Sequence, residues 1–259
     1  MQAGDRLFLA AILFAVALTG LDAATGGAVA AWSNLHLAAI AAHAGGWLMR
    51  IGLFVSPLLV LPLLTGIAGR FFPVPPTLWK FQRRAVAAID TVTTSFGGAV
   101  RWFALGLVIV TAIIVIQRYV FGYASTKLQE SVIYMHALLF LLASASALLN
   151  GGHVRVDVFY SKATERGKAW VDLFGTYLAL MPTSFLILWS STGYMASTWR
   201  ILERSRESDG LAFVFLLKTA IPLFAVLMIL QGFSMAARAA MTLGGEKAPD
   251  LPETFQGEV

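Results

Sequence analysis

Six long segments with almost no charged side chains dominate this sequence, and each is long enough to cross a lipid bilayer. A helix that spans the hydrocarbon core needs roughly 20 mostly apolar residues. In lipid, the backbone N–H and C=O groups must bond to one another within each segment, so such segments are helices. The sequence therefore predicts an all-α, polytopic membrane protein with about six transmembrane helices. They cover approximately Leu7 to Ala24, Ile51 to Ala68, Phe96 to Ile116, Ser131 to Leu149, Leu173 to Trp199 and Leu211 to Ala237.

The composition excludes an ordinary soluble domain. Of the 259 residues, 58% are hydrophobic and 13% are charged, whereas soluble domains average about 25% charged residues. The chain has 0 cysteines, which excludes disulfides, thiolate metal sites and cysteine nucleophiles. A net charge of +5 is typical of basic loops that set membrane topology, and it does not indicate nucleic-acid binding.

The distribution of Lys and Arg predicts the orientation of the chain in the membrane. If the N-terminus is cytoplasmic, the segments on that side hold twice as many Lys and Arg residues as the segments outside. The positive-inside rule then places both termini in the cytoplasm. Arg6 followed by the apolar stretch Leu7 to Leu21 is similar to a signal peptide. We expect a retained helix instead, because apolar residues continue to Ala31 and further spans follow.

A proline-rich linker, Phe72 to Pro76, separates an N-terminal pair of spans from the other four. After it, apolar residues recur every three or four positions, which predicts an amphipathic helix in the membrane interface. Its basic residues would face anionic headgroups on the cytoplasmic side; the alternative is a helix packed on a partner. Gly97 and Gly98 would then let the chain turn into the membrane. The apolar positions are Leu78, Phe81, Ala85, Ile89, Val92 and Phe96, and the residues off this stripe are Lys80, Arg83, Arg84 and Asp90.

These features divide the chain into four parts. An N-terminal helix pair (1–70) is followed by the linker and interfacial helix (71–96). A four-helix membrane domain (97–243) comes next, and a polar C-terminal tail (244–259) that contains two prolines ends the chain. Because polar chain ends are seldom tied down, we expect the tail to be flexible.

Few ionisable groups fall inside the spans. Glu130 and Lys218 are expected near the outer face, where a charge even one turn inside lipid is costly unless it is paired. We expect them to pair with each other, or Glu130 to pair with Arg118, in a structural ion pair; a proton or ion site is the alternative. The sequence contains no His-Glu-x-x-His pattern and no Gly-x-Ser-x-Gly elbow. We therefore assign no catalytic, metal-binding or substrate-binding residue and no cofactor.

The junction from Asn150 to Asp157 follows the fourth span, and polar and apolar residues alternate along its second half. If this segment is extended, His153, Arg155 and Asp157 share one face. Asp157 is placed to cap a following surface helix that ends at about Lys168. A structural turn, whose charged groups satisfy backbone carbonyl and amide groups, is the alternative.

The order of these features resembles the small membrane subunit of tripartite ATP-independent periplasmic (TRAP) transporters, the DctQ-like family. The resemblance covers about Ala85 to Gly244, and the Gly-His-Val-Arg-Val-Asp stretch is its most specific part. The residues that carry it are Gln117 to Gly122, Glu130, Asn150 to Asp157, Trp199 with the charged loop Glu203 to Asp209, Lys218 to Pro222, and Gln231 with Gly232.

The resemblance implies a scaffold subunit in the bacterial inner membrane, and not an enzyme. Its partners would be a large membrane subunit, which binds sodium and substrate and moves as an elevator, and a periplasmic protein that delivers an organic acid. Membrane lipids would surround it, and nucleic acid would play no part. The candidate structural or interface residues are Arg118, Glu130, His153, Arg155, Asp157 and Lys218. Lys80, Arg83 and Arg84 are candidates from the interfacial helix, which precedes the region of resemblance.

The chain departs from four-span members of this family by its N-terminal helix pair. Two other functions stay open on the sequence alone. One is a polytopic membrane enzyme that acts on lipids or peptides, and the other is a self-sufficient channel or carrier. A carrier would need polar residues along one face of several helices, of which Lys218 and Gln231 are the candidates.

Overall fold

The computed structural model of the chain describes residues 2–152, 160 and 162–251. The protein is 82% helix, and the described residues contain no strand. Six helical stretches are long and apolar enough to cross a membrane. The predicted all-α class with six spans is therefore confirmed.

The helices follow the apolar segments, and two short turns of other helical types join them. A 3-10 turn, Ser56–Val60, connects α2 to α3, and a π-helical turn, Thr176–Leu180, connects α7 to α8. These turns coincide with Pro57 and precede Pro182, whose missing N–H groups interrupt regular α-helical bonding. The helices are α1 (Ala3–Ala24), α2 (Ala28–Val55), α3 (Leu61–Ala68), α4 (Pro76–Val100), α5 (Trp102–Val120), α6 (Thr126–Leu149), α7 (Glu165–Gly175), α8 (Met181–Arg200) and α9 (Val214–Leu243).

The predicted turn at Gly97 and Gly98 is wrong. Both glycines lie inside α4, which continues to Val100. The helix is interrupted only at Arg101, so that Pro76–Val120 forms one stretch of 45 residues. Gly98 instead lies against Gly4 of α1, where a Cβ atom on Gly4 would lie 2.5 Å from the backbone carbon of Gly98 and a Cβ atom on Gly98 would lie 3.2 Å from Gly4 Cα. Small residues that let two helices approach closely are common in membrane proteins.

The chain forms two compact units. Unit 1 comprises Met1–Met49, Ser95–Ala143 and Ser190–Leu223, and unit 2 comprises Arg50–Thr94, Ser144–Trp189 and Phe224–Val259.

In unit 1, polar and aromatic contacts hold the start of α1. The Asp5 carboxylate accepts hydrogen bonds from the Arg101 guanidinium at 2.5 Å and from Trp102 Nε1 at 3.1 Å. The Phe8 ring stacks on Trp102 with centroids 6.2 Å apart. By contrast, no residue of the long helix α2 is buried, and Leu35 is 77% exposed. Apolar side chains with this exposure are expected to contact lipid or another membrane chain.

Unit 2 contains a core in which α3, α4 and α7 pack on α9. Gly66 of α3 lies against α7 and α9, since a Cβ atom there would lie 3.1 Å from Leu173 Cδ2 and 3.3 Å from Ala240 Cβ. Tyr177 donates a 2.5 Å hydrogen bond to the carbonyl of Leu59. One cluster of buried residues in this core consists of Trp79, Val86, Met181, Phe233, Ala237, Ala240 and Met241.

Helix α4 buries a different face from the apolar stripe that its sequence suggested. On the stripe, Phe81 is 43% and Val92 is 42% exposed. Asp90, which the sequence grouped with the basic residues off the stripe, is only 3% exposed. Lipid is itself apolar, so an apolar face is stable toward it while polar groups find partners inside the protein. The buried face consists of Trp79, Gln82, Val86, Asp90 and Thr93.

Candidate functional site

Glu130, near the start of α6, anchors the loop between α8 and α9, residues 201–213. Its Oε1 accepts a hydrogen bond from the Ser205 hydroxyl, and its Oε2 accepts one from the backbone N–H of Leu211 at 2.5 Å. The loop closes on itself, because Ser205 N–H donates to the Leu211 carbonyl at 3.1 Å. Gly210 is required beside this carboxylate, since a Cβ atom there would lie 2.8 Å from Glu130 Oε1. One carboxylate thus fixes two points of the loop.

Lys218, in the second turn of α9, pairs with Glu203 of the same loop. The Lys218 ammonium lies 2.8 and 2.6 Å from the two Glu203 oxygens. Thr198 donates to Glu203 at 3.0 Å, and the ammonium also lies 4.8 Å from the centre of the Tyr194 ring. About a quarter of each charged side chain is exposed. A cation over an aromatic face gains further stabilisation when it is partly desolvated.

The expected pairing of Glu130 with Lys218 or with Arg118 is therefore wrong. The loop places its own carboxylate, Glu203, next to Lys218, and it uses Glu130 as an acceptor for Ser205 and Leu211. Arg118 lies exposed in the last turn of α5. The sequence could not predict these partners, because they depend on how the loop folds back over the helix ends.

The ion pair with Lys218 extends the ionised state of Glu203 to more acidic pH, because it lowers the pKa of this carboxyl. The hydrogen bond from Lys218, followed by that from Thr198, lowers the pKa of the Glu203 carboxyl below its ordinary value. A depressed folded-state pKa means that the pair stabilises the loop above the ordinary glutamate range, about pH 4. That stabilisation is lost as the pH falls through the lowered pKa.

A second polar cluster lies inside unit 2 between α4 and α9, and we call it the Asp90–Arg238 cluster. The Arg238 guanidinium donates to Asp90 Oδ2 and to the backbone carbonyl of Pro249. Ser234 donates to Asp90 Oδ1 at 2.8 Å, and the side chains of the charged pair are only 16% and 5% exposed. Breaking a buried pair of this kind leaves an uncompensated charge, so the two residues depend on each other.

Two neutral hydrogen bonds continue the same polar face of α4. Thr93 donates to Gln231 Oε1 of α9 at 3.1 Å, and Gln82 donates to Thr65 of α3 at 2.8 Å. Gln231 is 2% exposed and Gln82 is 0% exposed. Buried polar side chains that bond across helices set the rotation and register of those helices.

Sequence reasoning missed this cluster, although a signal for it was present. Gln231, Ser234 and Arg238 are spaced by three and four residues, which places them on one face of an otherwise apolar helix. Asp90 and Thr93 are likewise three residues apart on α4. In the sequence analysis, Arg238 counts only as one of the Lys and Arg residues that place the segment after the sixth span in the cytoplasm. Polar residues at helical spacing within an apolar helix indicate an internal contact.

The other predicted residues do not join these clusters. Lys80 and Arg84 lie exposed on α4. Arg83 pairs with Glu246, and both side chains are 41% exposed. His153, Arg155 and Asp157 lie outside the described residues. In the described part of the chain, no group of three His, Asp or Glu side chains is arranged to hold a metal ion.

Comparison with known proteins gives one match. The family model described as "Tripartite ATP-independent periplasmic transporters, DctQ component" matches residues 107–242, just over half of the chain. This region contains Glu130, Glu203, Lys218 and Arg238, whereas Asp90 and helices α1 to α4 precede it. Neither the curated proteins nor the solved structures gave a match.

Proposed function

Since this chain belongs to the DctQ component family of TRAP transporters, whose members are the small membrane subunits, we propose that it is the fixed scaffold of its transporter. The transporter would import an organic acid, coupled to sodium. A large membrane subunit would hold the substrate and sodium sites and move as an elevator, and a periplasmic protein would deliver the substrate. Membership in a family of transporter components favours this role over a membrane enzyme.

The observation that carries the scaffold role is that the buried Asp90 and the partly buried Lys218 each have a counter-charge within the protein. Asp90 pairs with Arg238, and Lys218 pairs with Glu203. A carrier needs ionisable groups that exchange partners with an ion or substrate during each cycle. Groups that already satisfy one another instead stabilise one arrangement of helices, which is what a static frame against a moving subunit requires.

Helices α1 to α3, which we call the N-terminal extension, belong to this proposed frame. Helix α3 packs on α7 and α9 through Gly66, and Gln82 of α4 bonds to Thr65 of α3. These contacts support an extension that is integrated with the family-matched helices rather than attached by a loose linker. We propose that helices α1 to α3 widen the surface that meets lipid or the large subunit.

This scaffold role predicts that the chain does not transport alone. A tagged chain is expected to co-purify with a larger membrane protein from its native host. Proteoliposomes that contain only this chain should show no sodium-driven uptake of labelled dicarboxylates, 2-oxo acids, hydroxy acids or sugar acids supplied with the binding protein. Adding the large subunit should produce uptake of one of these classes. Uptake by the isolated chain would refute the scaffold role.

We also propose that both termini face the cytoplasm in the inner membrane. The absence of native cysteine allows a direct check with single-cysteine variants. In intact spheroplasts, a membrane-impermeant maleimide is expected to label Ser208→Cys in the loop between α8 and α9. Lys247→Cys should be labelled only after lysis; both positions are exposed. The opposite labelling pattern would reverse the orientation.

A further inference from the structure

A cavity of 390 Å³ in unit 2 lies beside the C-terminal end of α9. Arg70 and Phe71, which follow α3, form one part of its wall, and Arg166 and Trp170 of α7 form another. Gly244 and Gly245, directly after α9, form a third part of the wall. The cavity thus brings together side chains from the N-terminal extension and from the family-matched region.

The charged side chains that line this cavity have the same sign. Arg70 and Arg166 both line it, and no carboxylate of the described residues does. Within residues 2–152, 160 and 162–251, neither arginine takes part in an ion pair. Two cations that share a cavity repel each other unless an anion lies between them.

A neighbouring cavity of 220 Å³ in the same unit shows the contrasting case. There, Lys168 pairs with Glu165 at 3.2 Å, and Asp172 accepts a hydrogen bond from Tyr160 at 2.9 Å. The lining of this second cavity carries two carboxylates, Glu165 and Asp172, beside two basic side chains, Lys168 and Arg238. The Arg70–Arg166 cavity has no carboxylate in its lining among the described residues, so its charge balance favours an external anion.

The two arginines are not needed to cap α9. The last carbonyls of that helix already accept backbone hydrogen bonds, from Gly244 N–H to Ala240 at 2.9 Å and from Glu246 N–H to Met241 at 2.8 Å. The turn that provides these bonds requires glycine, because Gly245 has a φ of +76°. A Cβ atom on Gly244 would lie 2.8 Å from Trp79 Cζ2. The helix end is therefore closed by its own backbone and does not depend on either arginine.

The surroundings of the cavity indicate a lipid as the source of the anion. Phe71 and Phe72 are each 70% exposed, and the Trp170 ring stacks on Phe174 with centroids 5.3 Å apart. Exposed aromatic rings beside arginines are typical of the membrane–water interface. In the orientation proposed above, the cavity opens toward the cytoplasmic leaflet, where anionic lipids concentrate, and basic pockets between helices on that side bind their headgroups.

We propose that the Arg70–Arg166 cavity binds the phosphate headgroup of an anionic glycerophospholipid. Each planar guanidinium can donate two parallel hydrogen bonds to phosphate oxygens, which an ammonium cannot do. Arg70 precedes the family-matched region, 107–242, and Arg166 lies within it. A bound lipid would therefore connect the N-terminal extension to the rest of the subunit. Only the choice of leaflet rests on the proposed function.

The test compares lipid retention by the purified full-length chain in detergent, measured by native mass spectrometry. The wild type is expected to retain phosphatidylglycerol in preference to phosphatidylcholine. Arg70→Gln and Arg166→Gln should each weaken phosphatidylglycerol binding about fivefold, and the double variant about 25-fold. The matched control is Lys80→Gln with Arg84→Gln, which removes two exposed charges that do not line the cavity. This control variant should bind phosphatidylglycerol as tightly as the wild type does.

Three outcomes would overturn the proposal. One is equal retention of the two lipids by the wild type, and another is an equal loss in the control variant, which would indicate diffuse surface charge. The third is displacement of phosphatidylglycerol by millimolar inorganic phosphate, which would make the site one for a soluble anion. Binding in detergent does not depend on orientation or on the transport partners, so this result is separate from the uptake and labelling experiments.

Discussion

Replacing Arg238 with alanine is expected to lower the free energy of unfolding by about 3–5 kcal/mol. The substitution removes the cation that compensates Asp90, whose side chain is 5% exposed, and leaves that carboxylate buried without its counter-charge. It also removes the donor to the Pro249 carbonyl. Thermal unfolding in detergent, followed by tryptophan fluorescence, measures the loss. Trp79 packs in the same unit against Val86 and Met241 and reports on this core.

Two further variants distinguish the loss of the buried ion pair from the removal of any charged side chain. Lys247→Ala breaks an ion pair whose side chains are 83% and 81% exposed, so its cost should be below about 1 kcal/mol. The double substitution Asp90→Leu with Arg238→Met should recover most of the stability, because a well-packed apolar pair often matches a buried ion pair. An Arg238→Ala protein as stable as the wild type would show that this pair does not hold α4 to α9.

Replacing Glu130 with alanine is expected to release the loop between α8 and α9. The carboxylate accepts from Ser205 and Leu211, and hydrogen bonds to charged groups contribute about 1.5–3 kcal/mol each. Losing both should favour local opening by about 3 kcal/mol, or roughly 100-fold. Limited trypsin digestion detects this opening, because Arg204 and Arg206 lie exposed in the loop and cleavage of an opened segment follows its population.

Gln129, the exposed residue before Glu130, supplies the control for the digestion experiment. Gln129→Ala changes the same turn of α6 without touching the loop contacts, and its cleavage rate should equal that of the wild type. Glu130→Gln should give an intermediate rate, since an amide oxygen still accepts one hydrogen bond but carries no charge. If Glu130→Ala is cleaved no faster than Gln129→Ala, the carboxylate does not restrain the loop.

The two clusters suggest how the proposed scaffold would stay rigid in a bilayer. Association of helices in lipid gains little from the hydrophobic effect, because lipid is as apolar as the helix surfaces. Close packing at glycines and polar contacts across helices supply the specificity instead. In unit 1, Glu130 and Glu203 fasten one loop to the helix ends, and in unit 2, Asp90 and Arg238 fasten α4 to α9.

The sequence by itself determined the class of the protein, the number of spans and its family. The class and the number of spans depend on hydropathy and segment length, which a single chain displays directly because lipid permits only helices with satisfied backbones. The family resemblance, read from short motifs between Gln117 and Gly232, was confirmed by the match over residues 107–242.

Only the tertiary structure decided which charged groups pair. Lys218 was paired in prediction with Glu130 and is paired in the structure with Glu203, and Asp90 was placed with exposed residues although it is buried against Arg238. Hydropathy does not show whether an apolar face of a helix meets lipid or protein, because it is stable against both, as for the apolar stripe of α4. Pairings between segments distant in sequence depend on helix rotation and on how loops fold, and these are set by the packing of the whole bundle.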